Sequence, residues 1–351
     1  MKITRVSYER LDLSLSEPYT IAYETVTKSV NFILKIETEG KIVGYGCSSP
    51  DLKVTGETPQ MVESAIEKTV VPLLKNQNPF HYAKHIEELK SIHKQYASVR
   101  AMVDMALLDL VSKKANVPLY QFLGGFRESI PTSITIGILP IDETIERAAK
   151  YIAQGFYILK IKGGLSLEED IEKIKQIRTK FPKVIIRFDG NQGYSTDDSV
   201  AFVKATKNFS VEIFEQPTKK ENEVSMGQVT KQVNLPVMAD ESIKTLADVF
   251  RLAQNERIDM VNIKLMKVGG ILEGMHINSV AKSASLEAMV GCNDECGLGI
   301  AAGLHFALSR PNIQYADLDG HLDILNDPYK NIVLLKNGIL YPSENPGLGT
   351  N

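Results

Sequence analysis

Five charged residues recur through the middle of the chain at an almost constant spacing: Lys162, Asp189, Glu215, Asp240 and Lys264. The gaps between them are 27, 26, 25 and 24 residues, and each residue lies at the end of a short apolar, β-branched run. A repeat of this length holds one strand, one helix and two connections, which is the unit of a (β/α) barrel. Because catalytic residues in such barrels lie at the C-terminal ends of successive strands, we expect these side chains at one mouth.

The chain is long enough to need a second unit beside the barrel. Its 351 residues exceed one ordinary hydrophobic core. Alternating strand patterns up to about residue 48 and helical patterns between 58 and 115 precede the repeat. We predict an α+β capping domain at 1–125, a barrel at 126–325, and a C-terminal segment at 326–351 that returns to the capping domain.

Composition argues against several classes of function. The net charge is −3 and there is no long basic run, so nucleic acid is not an expected partner. The three cysteines, Cys47, Cys292 and Cys296, lack zinc-site spacing, and no disulfide framework is expected. The sequence starts without a signal-peptide pattern and has no apolar run of membrane-spanning length. We expect a cytoplasmic homo-oligomer that has no membrane partner.

The three carboxylates of the repeat favour a metal site. Asp189, Glu215 and Asp240 would lie on adjacent strands, about 4.8 Å apart. A hard cation such as Mg²⁺ prefers oxygen ligands and keeps positions open for water and substrate. One Mg²⁺ ion is therefore predicted on these three residues.

The lysines favour proton transfer on two faces of a substrate. Lys160 and Lys162 point to the same side of one strand, and each should disfavour protonation of the other, so that one has a lowered pKa. Lys264 would lie half a barrel away from Lys162. A carbon held between them would lose a proton on one side and regain it on the other, as in racemisation or epimerisation beside a carboxylate. The metal would stabilise the enediolate.

Motifs around these residues carry a family resemblance. They are Lys160-Ile-Lys162, Asp189-Gly-Asn191, Glu215-Gln-Pro217, Ala239-Asp-Glu-Ser242 and Asn262-Ile-Lys264. Together they resemble the muconate-lactonising subgroup of the enolase superfamily over nearly the whole chain. The resemblance implies a modified (β/α)₇β barrel beneath an α+β capping domain, with Mg²⁺ on the three carboxylates. It also implies that Lys162 and Lys264 are the acid/base pair and that Lys160 supports the substrate carboxylate.

A second motif narrows the reaction. Asp317 and Asp319 stand two residues apart near the last barrel strand, so both face one side and would attract a cation. This Asp-x-Asp pair resembles that of dipeptide epimerases, where it binds the α-ammonium group. The same resemblance implies substrate contacts for Thr135, for Cys292 through its backbone, and for Leu322.

The substrate side chain is predicted from the capping domain. Segments 17–28 and 50–56 are expected to be loops that close over the barrel mouth, and Glu24 stands where Ala-Glu epimerases are implied to have an arginine. We therefore expect Ala-Xaa dipeptides with a neutral or hydrophobic Xaa. A cationic Xaa, attracted by Glu24 and Asp294, and an Ala-Glu substrate are the alternatives.

Other readings remain open at this level. An o-succinylbenzoate synthase or an N-acylamino acid racemase would use the same lysines and metal, but neither substrate has a free ammonium group for Asp317 and Asp319. Muconate cycloisomerisation is disfavoured for the same reason. A barrel retained only for binding would be expected to lack a lysine or a metal ligand, and none is missing.

Overall fold

Three antiparallel strands and a run of helices form the N-terminal part of the chain in the computed structural model, which describes residues 1–22 and 24–350. The strands are β1 (Ile3–Ile21), β2 (Glu24–Thr38) and β3 (Val43–Ser48). The helices are α1 (Pro59–Ala65), α2 (Val71–Leu74), α3 (Tyr82–Ile92), α4 (Ala97–Lys114) and α5 (Leu119–Phe122), with a π-helical turn at Ile66–Val70. This arrangement confirms the predicted α+β capping unit.

The first hairpin is longer than the sequence pattern predicted. Strands β1 and β2 stay paired as far as Ile21 and Glu24, so most of segment 17–28 is strand and not an open loop. The register shifts between Ser14 and Tyr19, and Pro18 lies within that irregular stretch. A proline lacks the N–H that a ladder needs, and a bulge accommodates it while the β-prone residues beyond it pair again.

Helix α4 joins the capping unit to the rest of the molecule. Its residues 97–112 are all buried, because the helix packs between the capping sheet and helices of the barrel. Gly46 allows the sheet to approach closely, since a Cβ there would lie 1.9 Å from the carbonyl oxygen of Met102. On the other side, Asp104 Oδ2 accepts the backbone N–H of Ile271 at 2.5 Å, at the start of a barrel helix.

Eight parallel strands form the barrel, after a two-residue strand β4 (Ile130–Pro131). They are β5 (Ile134–Ile136), β6 (Ile158–Lys162), β7 (Ile185–Asp189), β8 (Val211–Glu215), β9 (Val237–Ala239), β10 (Met260–Lys264), β11 (Glu287–Gly291) and β12 (Ile313–Asp317). Residues of β6 and β10 are buried along their whole length, as expected for strands covered on both faces.

Helices follow each of the first seven barrel strands. They are α6 (Ile141–Ala153), α7 (Leu167–Lys180), α8 (Thr196–Thr206), α9 (Glu223–Gln232), α10 (Leu246–Gln254), α11 (Leu265–Val268), α12 (Ile271–Ser283) and α13 (Gly297–Ser309). Capping boxes mark the N-termini of α8 and α10, where Ser195 pairs with Asp198 and Thr245 pairs with Asp248. The predicted (β/α)₇β architecture is confirmed.

The barrel nearly closes between its first and last strands. A bridge joins Thr132 to Ala316, and the backbone N–H of Ser133 donates to the carbonyl oxygen of Ala316 at 3.2 Å. At the N-terminal end the interior is filled by Ile213, Met238, Met260 and Met289. Because this end is a packed core, the polar residues at the other end of the strands can only converge on the C-terminal mouth.

The C-terminal segment contacts the capping unit, as the sequence suggested. Strands β13 (Val333–Lys336) and β14 (Ile339–Pro342) extend β4 into a small antiparallel sheet. The backbone N–H of Leu348 donates to Asp109 on α4 at 2.7 Å. The domain boundaries at 125 and 325 stay a prediction.

The cysteines are free thiols in the structure. Cys47 of β3 and Cys296 at the start of α13 place their sulfur atoms 3.5 Å apart, across the contact between the capping sheet and the barrel. Within the part of the chain that the structure describes, no helix combines the length and apolar character that crossing a bilayer requires.

Candidate active site

Lysines and carboxylates from consecutive strands meet at the C-terminal mouth of the barrel. Lys160 and Lys162 both point inward from β6, and the neighbouring strand ends at Asp189. Glu215 ends β8, and Asp240 directly follows β9. All five polar groups are at most 9% exposed, so each must find a charged or hydrogen-bonding partner inside the site.

Lys160 lies at the centre of this network. Its Nζ is 2.8 Å from Glu215 Oε2, 3.1 Å from Asp189 Oδ2 and 2.8 Å from Asp317 Oδ2. Burial lowers the pKa of Lys160, but these carboxylates outweigh burial and hold the pKa well above its ordinary value. The lowered pKa expected from the facing ammonium group is therefore not found at Lys160, because its closest charged neighbours are anions.

The other two lysines each hold a carboxylate. Lys162 Nζ lies 2.7 Å from Asp189 Oδ2, and Lys264 Nζ, at the end of β10, lies 2.9 Å from Asp240 Oδ2. Since β6 and β10 are the second and sixth of eight strands, Lys162 and Lys264 come from opposite walls of the barrel. Both line one cavity, so a substrate between them would meet an ammonium or amine on each face.

The pKa values of the three carboxylates are pulled in different directions. Burial and the neighbouring charge of Asp189 raise the pKa of Glu215 to about 7. Burial also opposes ionisation of Asp240, but Lys264 and Lys267 outweigh it and hold its pKa well below the usual range. Burial also opposes ionisation of Asp189, but Lys162 and Lys160 outweigh it and lower the pKa of this carboxyl group. The lysines therefore keep Asp189 and Asp240 charged, whereas Glu215 gains a proton most readily of the three.

The residues present fit a hard divalent cation. Asp189, Glu215 and Asp240 supply only oxygen atoms and are at most 2% exposed. Two more oxygen atoms beside them, Asn191 Oδ1 and Glu241 Oε2, are buried without a hydrogen-bond partner. A cation would satisfy these oxygens and relieve the repulsion that raises the pKa of Glu215. These residues would hold the ion.

The carboxylates are not preassembled as metal ligands. Across residues 1–22 and 24–350, no three acidic, histidine or cysteine side chains are grouped in a way that could hold a metal. Lys160 lies between Asp189 and Glu215, and Lys264 lies against Asp240. The lysine ammonium groups thus stand beside the oxygens that a cation would bind, and cation binding requires these contacts to rearrange.

Two aspartates, Asp317 and Asp319, lie at the end of the last barrel strand and just after it. Asp317 Oδ2 is held by Lys160, and Ser133 Oγ donates to Asp317 Oδ1 at 2.6 Å. Asp319 Oδ2 accepts the backbone N–H of Thr135 at 2.6 Å, and the Cys292 thiol lies 4.0 Å from Oδ1. Both aspartates, Thr135 and Cys292 line the cavity. Their electrostatic states differ: Asp317 is held at a pKa of about 2 against burial by Lys160, whereas burial and Asp317 raise the pKa of Asp319 to about 7.

The capping unit closes one side of the cavity. Ile21 and Val26 from the first hairpin and Asp51 and Val54 from the segment after β3 line it. Asp294 also lines it, and its backbone carbonyl accepts the Ser49 hydroxyl at 2.9 Å. The predicted contribution of the two capping segments to the mouth is therefore present.

Three residues of segment 17–28 fall wholly or partly outside the described part of the chain. Tyr23 lies outside the described residues, and the side chains of Tyr19 and Glu24 are outside the described part of the chain as well. The backbone of Glu24 begins β2, opposite Ile21. Leu322 is partly buried and packs against the main hydrophobic core, apart from the described residues that line the cavity.

Lys267 is a site residue that the spacing argument missed. It lies on the short helix α11, is 1% exposed, and its Nζ donates to Asp240 Oδ1 at 2.5 Å. Burial lowers its pKa. The sequence held one indication of this role, because Lys267 stands three residues after Lys264. The helical turn of α11 is what directs the Lys267 side chain back to Asp240. Glu17, Arg147, Tyr151 and Asp323 also line the cavity, and no repeat in the sequence marks them.

Comparison with protein families matches both parts of the chain. The model described as "Mandelate racemase / muconate lactonizing enzyme, N-terminal domain" matches residues 5–124, and "Enolase C-terminal domain-like" matches residues 143–351. Among curated proteins, an L-Lys-D/L-Arg epimerase from Desulforapulum autotrophicum is 39% identical over 351 residues, covering 99% of both chains.

Solved structures agree with this assignment. A substrate-liganded L-Ala-D/L-Glu epimerase from Bacillus subtilis has a TM-score of 0.97 and 33% identity, covering 99% of this chain and 98% of the other. A dipeptide epimerase from Enterococcus faecalis, complexed with Mg and L-Leu-L-Tyr, has a TM-score of 0.95 and 35% identity, covering 99% of each chain. Matches along the whole length, in sequence and in fold, show that the chain belongs to the mandelate racemase/muconate lactonizing enzyme family of the enolase superfamily.

Proposed function

We propose that this isomerase is a Mg²⁺-dependent dipeptide epimerase. It inverts the α-carbon of the C-terminal residue of L,L-dipeptides by removing and returning a proton through an enediolate. The observation that carries the proposal is the placement of Lys162 and Lys264 on opposite walls of a cavity that Asp240, Glu241 and Asp319 also line.

The lysines supply the two faces of the reaction. One of Lys162 and Lys264 takes the α-proton as a neutral amine, while the other, as an ammonium, returns a proton from the opposite side. For an L residue and a D residue the two lysines exchange roles. Asp189, Glu215 and Asp240 would hold Mg²⁺, which would supply positive charge beside the substrate carboxylate as negative charge develops there. Lys160 adds a fixed positive charge for the substrate carboxylate, because the surrounding anions keep it protonated.

The aspartate pair supplies the preference for a free N-terminus. Lys160 and Ser133 already contact the two oxygens of Asp317, so Asp319 is the main acceptor for the α-ammonium group of a dipeptide. The Thr135 N–H fixes one oxygen of Asp319 and leaves the other toward the cavity. Thr135 and Cys292 then form the wall against which the N-terminal residue lies.

The known relatives support the dipeptide class and leave the side chain open. The related proteins are named for epimerising Lys-Arg and Ala-Glu dipeptides, and one structure contains Leu-Tyr. Since these substrates differ in charge and size, identity to relatives does not select among them. The side chains lining this cavity must decide.

Deuterium exchange tests the reaction. Purified protein with Mg²⁺ is incubated in D₂O with a panel of L,L-dipeptides and with matched N-acetyl and N-succinyl amino acids. We expect deuterium only at the α-carbon of the C-terminal residue, together with the L,D-diastereomer. Faster exchange of the N-acylated amino acids would identify an N-acylamino acid racemase instead. The cytoplasmic homo-oligomer stays a prediction, tested by cell fractionation and light scattering.

A further inference from the structure

The part of the cavity beyond the lysine and carboxylate centre is acidic. The metal-site residues, the lysines and the Lys160-bound Asp317 belong to that centre. Six other described charged residues line the cavity, and one of the six is a cation. These residues are Glu17, Asp51, Asp294, Asp319, Asp323 and Arg147. Asp319 would face the α-ammonium group of a dipeptide and Glu17 pairs with Arg147, so the carboxylate that needs a role beside the last barrel strand is Asp323.

Two sides of the cavity differ in chemistry. The capping side presents Ile21, Val26 and Val54, and one oxygen of Asp51 already accepts the backbone N–H groups of Lys53 and Val54. That side suits an apolar group. A cationic group of the substrate is therefore better bound on the opposite side, by the carboxylates beside the last barrel strand.

A cluster beyond Asp319 forms this second side. Arg147 of α6 forms an ion pair with Glu17, and its Cζ atom lies 6.0 Å from the centre of the Tyr151 ring. Asp323 has no lysine or arginine nitrogen within 4 Å among the described residues, and its nearest hydrogen-bond donor is the Ser16 hydroxyl at 3.4 Å. Glu17 pairs with Arg147 and, at 3.9 Å, with Lys150. Burial raises the pKa of Asp323, and Arg147 and Lys150 oppose this from a distance. Among the described residues the Asp323 carboxylate therefore lines the cavity without an ion pair of its own.

Asp323 lies close to the place where the N-terminal residue of a dipeptide would bind. The two aspartates Asp319 and Asp323 are separated by a single turn of chain, and both line the cavity. Both also act electrostatically on Tyr151, whose pKa is raised first by burial and then by Asp323 and, more weakly, Asp319. A long side chain leaving an α-carbon whose ammonium group lies on Asp319 can therefore extend toward Asp323.

We propose that the preferred substrates carry a cationic side chain, of the lysine or arginine type, on the N-terminal residue, and that Asp323 selects it. This inference rests on the proposed function and replaces the alanine expected at that position. The C-terminal, inverted residue keeps the neutral or hydrophobic side chain expected from the sequence, because it lies against Ile21, Val26 and Val54.

The test compares dipeptides that differ only in the N-terminal residue: Lys-Leu, Arg-Leu, Met-Leu, Ala-Leu and Glu-Leu. Wild-type kcat/KM for Lys-Leu is expected to exceed that for Met-Leu, a neutral side chain of similar length, by about tenfold, as for one charge-assisted contact in a partly exposed site. In Asp323→Asn this ratio should fall about tenfold, whereas Asp323→Glu should retain most of it.

Glu146→Gln is the matched control, since Glu146 is an exposed carboxylate of α6 next to Arg147 and outside the described lining of the cavity. Its Lys-Leu to Met-Leu ratio should equal that of the wild type. The inference is overturned if Ala-Leu, Met-Leu or Glu-Leu is the best substrate, or if Asp323→Asn leaves the ratio unchanged. A preference for Glu-Leu would show that Arg147 is the selecting group. If none of the five exchanges its α-proton, the proposed function itself fails.

Discussion

Replacing Asp319 by asparagine tests how the enzyme recognises a free N-terminus. In the structure Asp319 Oδ2 accepts the Thr135 N–H at 2.6 Å, and the Cys292 thiol lies 4.0 Å from Oδ1. The amide of Asp319→Asn can keep its oxygen on Thr135. Its NH₂ group then points where the carboxylate oxygen stood, and it meets the substrate ammonium as one donor facing another.

The size of the loss follows from that geometry. A hydrogen bond to a charged group contributes about 1.5–3 kcal/mol, which is roughly 10- to 150-fold in kcat/KM. We expect the upper half of this range, because Asp319 lies partly buried in the cavity and the replacement leaves an ammonium group without an acceptor. The comparison is made at about pH 7.5, above the pKa of about 7 of Asp319, so that the wild-type carboxylate is mostly charged.

The assay measures kcat/KM for Lys-Leu and for the same dipeptide acetylated on its α-amino group. Asp319→Asn should lower the first far more than the second, because the acetylated substrate has no ammonium group. The exposed Asp142→Asn on α6 serves as control, and circular dichroism checks the fold of each variant. Equal losses on both substrates would refute an ammonium contact at Asp319 and favour an N-acylamino acid racemase.

Three further outcomes are expected. Lys162→Ala and Lys264→Ala should each stop epimerisation, with losses of about 10²- to 10⁴-fold or more, while each still exchanges the α-proton of one epimer in D₂O; exchange of both epimers by both variants would disprove the two-face assignment. EDTA should abolish turnover, and Asp240→Asn should lose Mg²⁺ binding in calorimetry with its fold retained; full activity of metal-stripped protein would contradict the metal site. Wild-type kcat/KM should rise as the pH increases through about 7, because the raised pKa leaves Asp319 neutral below that value and charged above it. The rise should be absent in Asp319→Asn, and a wild-type profile that is flat there would disprove the role of Asp319.

The sequence alone was enough for the barrel and for its catalytic mouth. Residues such as Asp189 and Glu215 lie at the ends of β-branched runs, and a strand that alternates its side chains must turn Lys160 and Lys162 to the same side. The regular spacing then places the ends of successive strands at one edge, because parallel connections in a barrel return each strand in the same direction. These features depend on the local pattern of apolar residues and on the direction of successive strands, and both can be inferred from the sequence.

Tertiary structure decided what surrounds those residues. Strands β1 and β2 stay paired as far as Ile21 and Glu24 despite Pro18, because a register shift in the ladder accommodates the proline. Lys160 keeps a raised pKa because carboxylates from three other strands surround it. The repeat of about 25 residues does not include Lys267 or Asp323. Their roles depend on the turn of α11 and on the approach of the first hairpin to the barrel mouth. Charge and burial at a point are sums over residues distant in sequence, so only the folded chain determines them.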